Sequence, residues 1–467
     1  MGEQRAGNTK VEEIYINTSS GESIDLFNFY MEINLSESIY QNALMGSVVI
    51  NDAANLLVKG LIIGKDSITF KLKTPSFKDT PENVIHKTFY IYSVADRTLN
   101  ADREQFYTLH FMSLEALQDS ITVLSKKFKG GTDIIAQELF ENVKSHRILD
   151  DKSKPIGEKI PLSIGDTPHA SNNFEFIASQ WSPFKCLNYL ARNTVGNTKR
   201  MPNVMFWESN KGYFFSSITH ITESQKEGKI LYDEYSYINN LDENENNSKD
   251  NRMKGEYSYT SPFISSRMLT AEKVYYPIYF DQLQNSQSGY YANRTVSYDW
   301  TTKDIFDIEF DYTDNHADRK SQIKNLIPDT FSSFKHIAKN QPFASKPFSN
   351  SLNALTYKAG ASNLFGKDSS FDINQVVPVS FRKTAMAELE AVKLEITVPG
   401  KTDVEVGRLI RFNFPYIGDK TNTPDRSNVW DPLVSGIYII VGIHHQVTKV
   451  GHSMLLEIVR DSMGEEA

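Results

Sequence analysis

Five places in this 467-residue chain carry side chains whose types and spacing could do chemistry. His444, His445 and His452 form the first. Adjacent strand residues point to opposite faces, so His444 and His445 cannot chelate one metal ion together. His445 and His452 can meet across a hairpin. No Glu or Cys accompanies them, so a structural role is expected. Gly60, Gly64, Lys65 and Ser67 imitate a phosphate loop. However, the glycines stand one residue too close, and Asp66 occupies the magnesium-binding Ser/Thr position. The segment also leads into a strand instead of a helix. Gly130-Gly131 lacks a third glycine and reads as a hinge. Cys186 is the sole cysteine, and Phe184, Leu187, Tyr189 and Leu190 around it mark a buried helix face, not a nucleophile. Ser435-Gly436 follows Pro432-Leu433-Val434 and so lacks the flanking glycine of a nucleophile elbow. No catalytic residue, metal ligand or cofactor is expected, and the chain reads as a construction part.

The elements that must hold these residues are mostly strands. In Val392–Val398 apolar and polar residues alternate strictly, and Pro399-Gly400 turns the chain. Gly407 leads into Ile410, Phe412 and Phe414, separated by Arg411 and Asn413. Asp431-Pro432 and Ser435-Gly436 open onto Ile437–Val441, and Met454–Val459 precedes Asp461. Period-two alternation means one buried face, and the Pro/Gly clusters mark turns. Four such strands make an antiparallel barrel or sandwich. Leu394, Ile396, Ile410 and Phe412 are expected inward, with Lys393, Glu395 and Arg411 outward or at an interface.

Residues 11 to about 125 carry the same pattern, as in Ile68/Phe70/Leu72 and Tyr107/Leu109/Phe111, with a short helix at Glu115–Asp119. Helical spacing follows. Ile135, Leu139 and Val143 form a stripe behind Thr132, a candidate N-cap, and Ser182-Pro183 opens a helix with Leu187, Leu190 and Ala191 inward. Phe206–Glu208 and Gly212–Phe215 flank a hairpin turn at Asn210-Lys211. Leu241–Lys254 is rich in Asn, Asp, Glu and Lys and reads as an exposed loop. Arg382–Glu390 reads as a short helix.

At about 150 residues per domain, this length suggests roughly three domains. Hydrophobic content of 40% with Phe 28 and Tyr 23 provides several β-rich cores. No apolar run approaches the ~20 residues of a membrane helix, and no secretory signal is expected behind Met1–Arg5. The formal net charge of −8 argues against a nucleic-acid binder. One cysteine is compatible with assembly in a reducing cytoplasm.

Two ordered sets of residues resemble a known family. The first is Gly46–Ile50, Asp52-Ala53, Asn55, Leu56-Leu57, then Gly64 before the strand at Ile68–Lys73. The second is Val398-Pro399-Gly400, Gly407, Asp431-Pro432, Ser435-Gly436, Tyr438, Ile440, Ile443 and His445, closed by Arg460-Asp461-Ser462. Their order resembles the baseplate hub proteins of contractile-tailed bacteriophages, and more distantly the N-terminal part of type VI secretion spike proteins. Phe280-Asp281, Leu283, Gly289–Arg294 and Tyr298-Asp299 resemble the start of the second tube-like domain of those hubs.

The resemblance implies a mainly β fold with α+β insertions, built on two tube-protein-like antiparallel β-barrels. The first barrel is expected at 1–125 and a mixed α+β accessory domain at 126–265. The second barrel is expected to start at 266–314, to be interrupted by an inserted peripheral segment at 315–379, and to finish at 380–467. The implied function is a homotrimeric adaptor in the virion tail baseplate, assembled in the host cytoplasm. It would join the sixfold tail tube protein to the threefold central spike and contact neighbouring baseplate proteins. DNA would pass in transit only, with no stable nucleic-acid or membrane binding. The alternatives are a hub of a related contractile injection particle, or a tail-associated glycan-binding or peptidoglycan-degrading protein.

Overall fold

Alternating sequence makes sheet through the first 113 residues. In chain order these are β1 Lys10–Asn17, β2 Ser23–Asp25, β3 Tyr30–Ser38, β4 Met45–Asp52, helix α1 Leu56–Lys59, β5 Ser67–Lys73, β6 Val84–Leu99 and β7 Gln105–Ser113. The computed structural model describes residues 6–19, 21–59, 62, 66–75, 83–99, 104–145, 161–166, 173–198, 201–227, 233–237, 267–278, 292–299, 303, 305–311, 355–360, 382, 385–387, 389–415, 430–431 and 433–461. The strands pair antiparallel in the order β2-β1-β5-β6-β7-β4-β3. Every second residue of β7 is buried, and Phe70, Phe89 and Phe111 meet inside with ring centroids 4.7–5.6 Å apart. Each fully buried Phe, Leu or Ile contributes roughly 1.5–3 kcal/mol relative to exposure.

The chain then turns helical. It forms α2 Leu114–Ile121, β8 Leu124–Gly131, α3 Thr132–Ser145, β9 Leu162–Ile164, β10 Asn173–Trp181, α4 Pro183–Arg192, β11 Val204–Ser209, β12 Gly212–Ser217 and α5 Ile218–Glu227. β8 pairs with β10, while β11, β12 and β9 make a second small sheet. The stripe Ile135, Leu139 and Val143 is buried against Leu187 and Leu190 of α4 in an aromatic-rich core. Ser182 caps α4 by accepting the Lys185 N–H at 3.3 Å, and Pro183 fills the first turn. The hairpin at Asn210-Lys211 pairs Ser209 with Gly212. Thr132 is a correction. It is the first helical residue, fully buried, and its hydroxyl makes no hydrogen bond among the described residues, so it does not cap α3.

The second barrel collects strands from across the remaining sequence. They are β13 Asp233–Tyr237, β14 Thr270–Ala271, β15 Lys273–Ile278, β19 Val392–Pro399, β20 Leu409–Asn413, β21 Gly436–Thr448 and β22 His452–Arg460. Between them come β16 Ala292–Asp299, β17 Ile305–Asp311 and β18 Leu355–Gly360. Neighbours run β13-β20-β21-β22-β19-β15. One stretch, Thr270–Ile278, closes the ring: β14 pairs parallel with β13, and β15 pairs antiparallel with β19. Closure removes the sheet edges. Leu394, Ile396, Ile410 and Phe412 are fully buried in this core, and Lys393, Glu395 and Arg411 are half-buried.

Two strand assignments differ from the sequence reading. β13 falls within 126–265 but is hydrogen-bonded into the second barrel. β16 and β17 were expected to begin that barrel, yet they form a separate three-stranded sheet with β18, from the segment expected to be a periphery. Gly64, Pro432, Ser462, the loop 241–254, residues 279–291 and most of 315–379 lie outside the described residues.

The two barrels share a strand boundary. β21 pairs with β22 along one side. On its other side it pairs first with β20, through Gly436–Ile439, and then with β3, through Gly442–Thr448. One hydrogen-bonded sheet therefore runs from one core into the other.

Candidate functional site: the joint between the barrels

The motif residues fall at the turns and at this joint. Asp52, buried at the end of β4, accepts the Ala54 N–H at 2.9 Å and the Leu56 N–H at 2.7 Å, and so folds the Asp-Ala turn. The Gln105 side chain also donates to it at 2.9 Å. Leu57 packs against the first core. Asp431 builds the other turn: its side chain accepts the Leu433 N–H and its carbonyl the Ser435 N–H, both at 2.8 Å. Ser435 Oγ bonds the backbone of Phe414, and Gly436, at φ +149, starts β21. The Tyr438 hydroxyl donates to the Val434 carbonyl at 2.5 Å. Arg460 lies over the Tyr438 ring, 4.8 Å from its centroid, and donates to the Ser435 and Leu433 carbonyls. Asp461 is buried next to it in sequence. Gly407 has φ +86, and its carbonyl accepts from Gln225 of α5.

His445 and His452 do meet across the β21–β22 hairpin, Nδ1 to Nε2 at 3.0 Å, and both are buried. Thr9 Oγ1 lies 2.8 Å from His452 Nδ1, so an N-terminal segment is fastened to the pair. Gly400 follows Pro399 because a Cβ there would stand 2.0 Å from the His452 ring. Burial, with His444 adding to it, pushes the His445 pKa down to about 3, and burial beside His445 lowers that of His452 as well. Both rings are therefore neutral near pH 7. His444 is on the opposite, exposed face, bonded to Ser36 of β3. Among the described residues no three His, Cys, Asp or Glu side chains are grouped to hold a metal ion. Burial raises the Cys186 thiol to about 11, which leaves it protonated and unreactive.

Charged residues bind the units together, and sequence reasoning missed them. Glu208 of β11 pairs with Lys87 of β6 while accepting the Leu44 N–H at 2.7 Å and the Ser113 hydroxyl at 2.5 Å. It thus clamps the α+β unit to the first barrel. Lys401 is fully buried and pairs with Asp233; Asp403 lies 3.8 Å away, and Arg408 flanks both carboxylates. Burial opposes the charge on Lys401, but Asp233 and Asp403 outweigh it and hold the ammonium well above its usual pKa. Thr74 and Thr402 bond at 3.1 Å between the barrels. Arg382 donates to the Pro202 and Val204 carbonyls, each at 2.8 Å. By residue type alone such side chains read as surface positions. The hints are that Lys87 and Glu208 stand in phase with the buried residues of their strands, and the Lys-Thr-Asp run just after Pro399-Gly400.

An open cleft of about 440 Å³ lies where the three units meet, lined by Asn83, Trp207, Phe214, Glu405 and Arg408 among others. Trp207 and Phe214 stack there at 5.3 Å, and Lys211 pairs with Glu405 at 2.8 Å. That ion pair is satisfied within the chain. The arrangement is that of a joint: among the described residues that line it, no nucleophile, base and oxyanion donor are brought together.

No protein-family model matches this sequence, and no curated protein does. Solved structures do match. A tail protein from Neisseria meningitidis MC58 aligns over 97% of this chain and 97% of its own, with a TM-score of 0.50 and 10% identity. The 43 kDa tail protein of prophage MuSo2 from Shewanella oneidensis aligns over 97% and 99%, with a TM-score of 0.51 and 7% identity. At these identities the likeness is one of fold, and it extends over nearly the whole length of each chain. This chain, two barrels joined through β3 and β21 with an α+β unit clamped at the joint, therefore shares the overall fold of these two tail proteins.

Proposed function

We propose that this chain is a structural baseplate hub, a trimeric adaptor joining a sixfold tail tube to a threefold central spike and leaving a conduit for DNA. The observation that carries this reading is the pair of barrels fused by one continuous sheet. Three chains then present six barrels in a ring, the number that matches a sixfold tube while keeping threefold symmetry below. The full-length likeness to phage tail proteins supports it. The role is mechanical, with no catalysis, and the place of action is the virion tail. Tail tube, spike and neighbouring baseplate proteins are its partners, and the motif residues act as turn and joint formers. Cryo-electron microscopy of the chain with its spike protein tests this. Closed trimers docked on the spike are expected; monomers under all conditions would refute it.

A further inference from the structure

Glu37 is the one charged residue of β3 that the fold buries without a counterion of its own. It is 2% exposed, and no side chain among the described residues hydrogen-bonds either carboxylate oxygen; only the Asn210 backbone N–H is directed at it. It sits where all three units converge. Across the seam it pairs in register with Ile443 of β21. Lys87 of β6, Glu208 of β11, Glu405 of the segment before β20 and the Asn210 backbone of the β11–β12 turn all act on it. The one ammonium in that set, Lys87, is already engaged by Glu208. Lys211, at the same turn, is engaged by Glu405. A carboxylate at this point would face two others in a dry pocket, which a folded chain tolerates only with the proton on.

We propose that Glu37 is a proton-dependent latch: protonated, it lets the α+β unit and the 400–408 segment close on the first barrel, and ionised, it loosens that joint. Burial, reinforced by Glu405, raises its pKa from 4.5 to about 8. The sign follows. The folded value is above the unfolded one, so the closed joint is fully favoured below pH ~4.5 and loses ground as pH rises to about 8, by up to about tenfold in the opening equilibrium per pH unit. Above about 8 the effect levels off, because the carboxyl is then ionised in both states. Ordinary carboxylates have finished titrating below this window, and a buried His pair changes in the opposite direction.

Hydrogen exchange of the full chain, corrected for intrinsic pH dependence, tests this between about pH 5.5 and pH 9. Peptides covering Tyr30–Ser38, Val204–Ser209 and 401–408 should lose protection with pH and then plateau, while β22 does not. Glu37→Gln keeps the shape without the charge, and should remove the pH dependence. A pH-independent wild type, or an equal response in Glu37→Gln, would overturn the latch. Should Glu37→Gln not fold, Glu405→Gln serves instead: by removing a repelling carboxylate it should move the plateau to lower pH. An unmoved plateau would overturn the proposal as well. These readouts need no spike or tube, so they fail or succeed separately from the hub reading.

Discussion

Single residues set the limits of this fold through what they bury. Ile396 is fully enclosed in the second core, so Ile396→Asp places an unpaired charge there and should abolish folding of that barrel, seen as loss of its cooperative thermal transition. Lys393, on the same strand, is half-buried and reaches Glu457 at 2.8 Å. Lys393→Ala should cost about 1 kcal/mol or less in denaturant titrations. Lys401→Ala is a different case. It leaves the buried Asp233 with only the more distant Arg408, 3.9 Å away, and should cost about 3 kcal/mol. The histidine pair predicts acid sensitivity. Both folded pKa values lie below the ordinary 6.5, so their contribution is complete above pH 6.5 and is lost as pH falls toward about 3. Stability should begin to drop between pH ~6.5 and ~5, before most carboxylates titrate, and His452→Gln should flatten that part of the profile.

At the scale of elements, alternation made both barrel cores legible. β7, β19 and β22 bury every second residue over most of their length, and no other assignment of Tyr107, Leu109 and Phe111 or of Leu394 and Ile396 satisfies the pattern. The helices α3 and α4 were equally legible from their stripes and from Ser182-Pro183. β13 was not. Its five residues, Asp-Glu-Tyr-Ser-Tyr, look like a polar connection, because the charge on Asp233 is answered by Lys401, distant in sequence. Parallel pairing with β20 also leaves no hairpin signal. The joint escaped for a related reason: Glu37, Lys87 and Glu208 stand in phase with the buried residues of their strands, but a charged side chain there reads as the end of the apolar face until its distant neighbours are known. The seam itself gives a test. β3 is paired on both sides, by β4 and β21, so Asn34→Pro removes a ladder donor inside the sheet. A loss of about 3 kcal/mol or more is expected, with both barrels losing protection together in hydrogen exchange.

For the whole molecule the hub reading makes predictions of its own. Light scattering of the chain with its spike should give three copies of the 53.2 kDa chain. Deleting Asn244–Asp250, a polar stretch suited to the outside of a ring, should leave that trimer intact. A wall that passes DNA must not hold phosphates, since each contact releases counterions and slows transit. The net charge of −8 permits an acidic lumen. Gel-shift titration should therefore show no duplex affinity at moderate salt, and salt-sensitive binding would contradict the conduit.

The shared strand also decides how the protein carries force. A pull that draws the barrels apart along β21 loads the seven residue pairs from Gly442–Ser38 to Thr448–Glu32 side by side, in shear. They must give way together, whereas a pull across the strands would open them one at a time. Among the described residues the α+β unit shares no such ladder with the barrels; side chains hold it, Glu208 to the first barrel and Lys211, Gln225 and Arg382 to the second-barrel segments. Under axial tension the two barrels behave as one stiff link, and these side-chain contacts yield first.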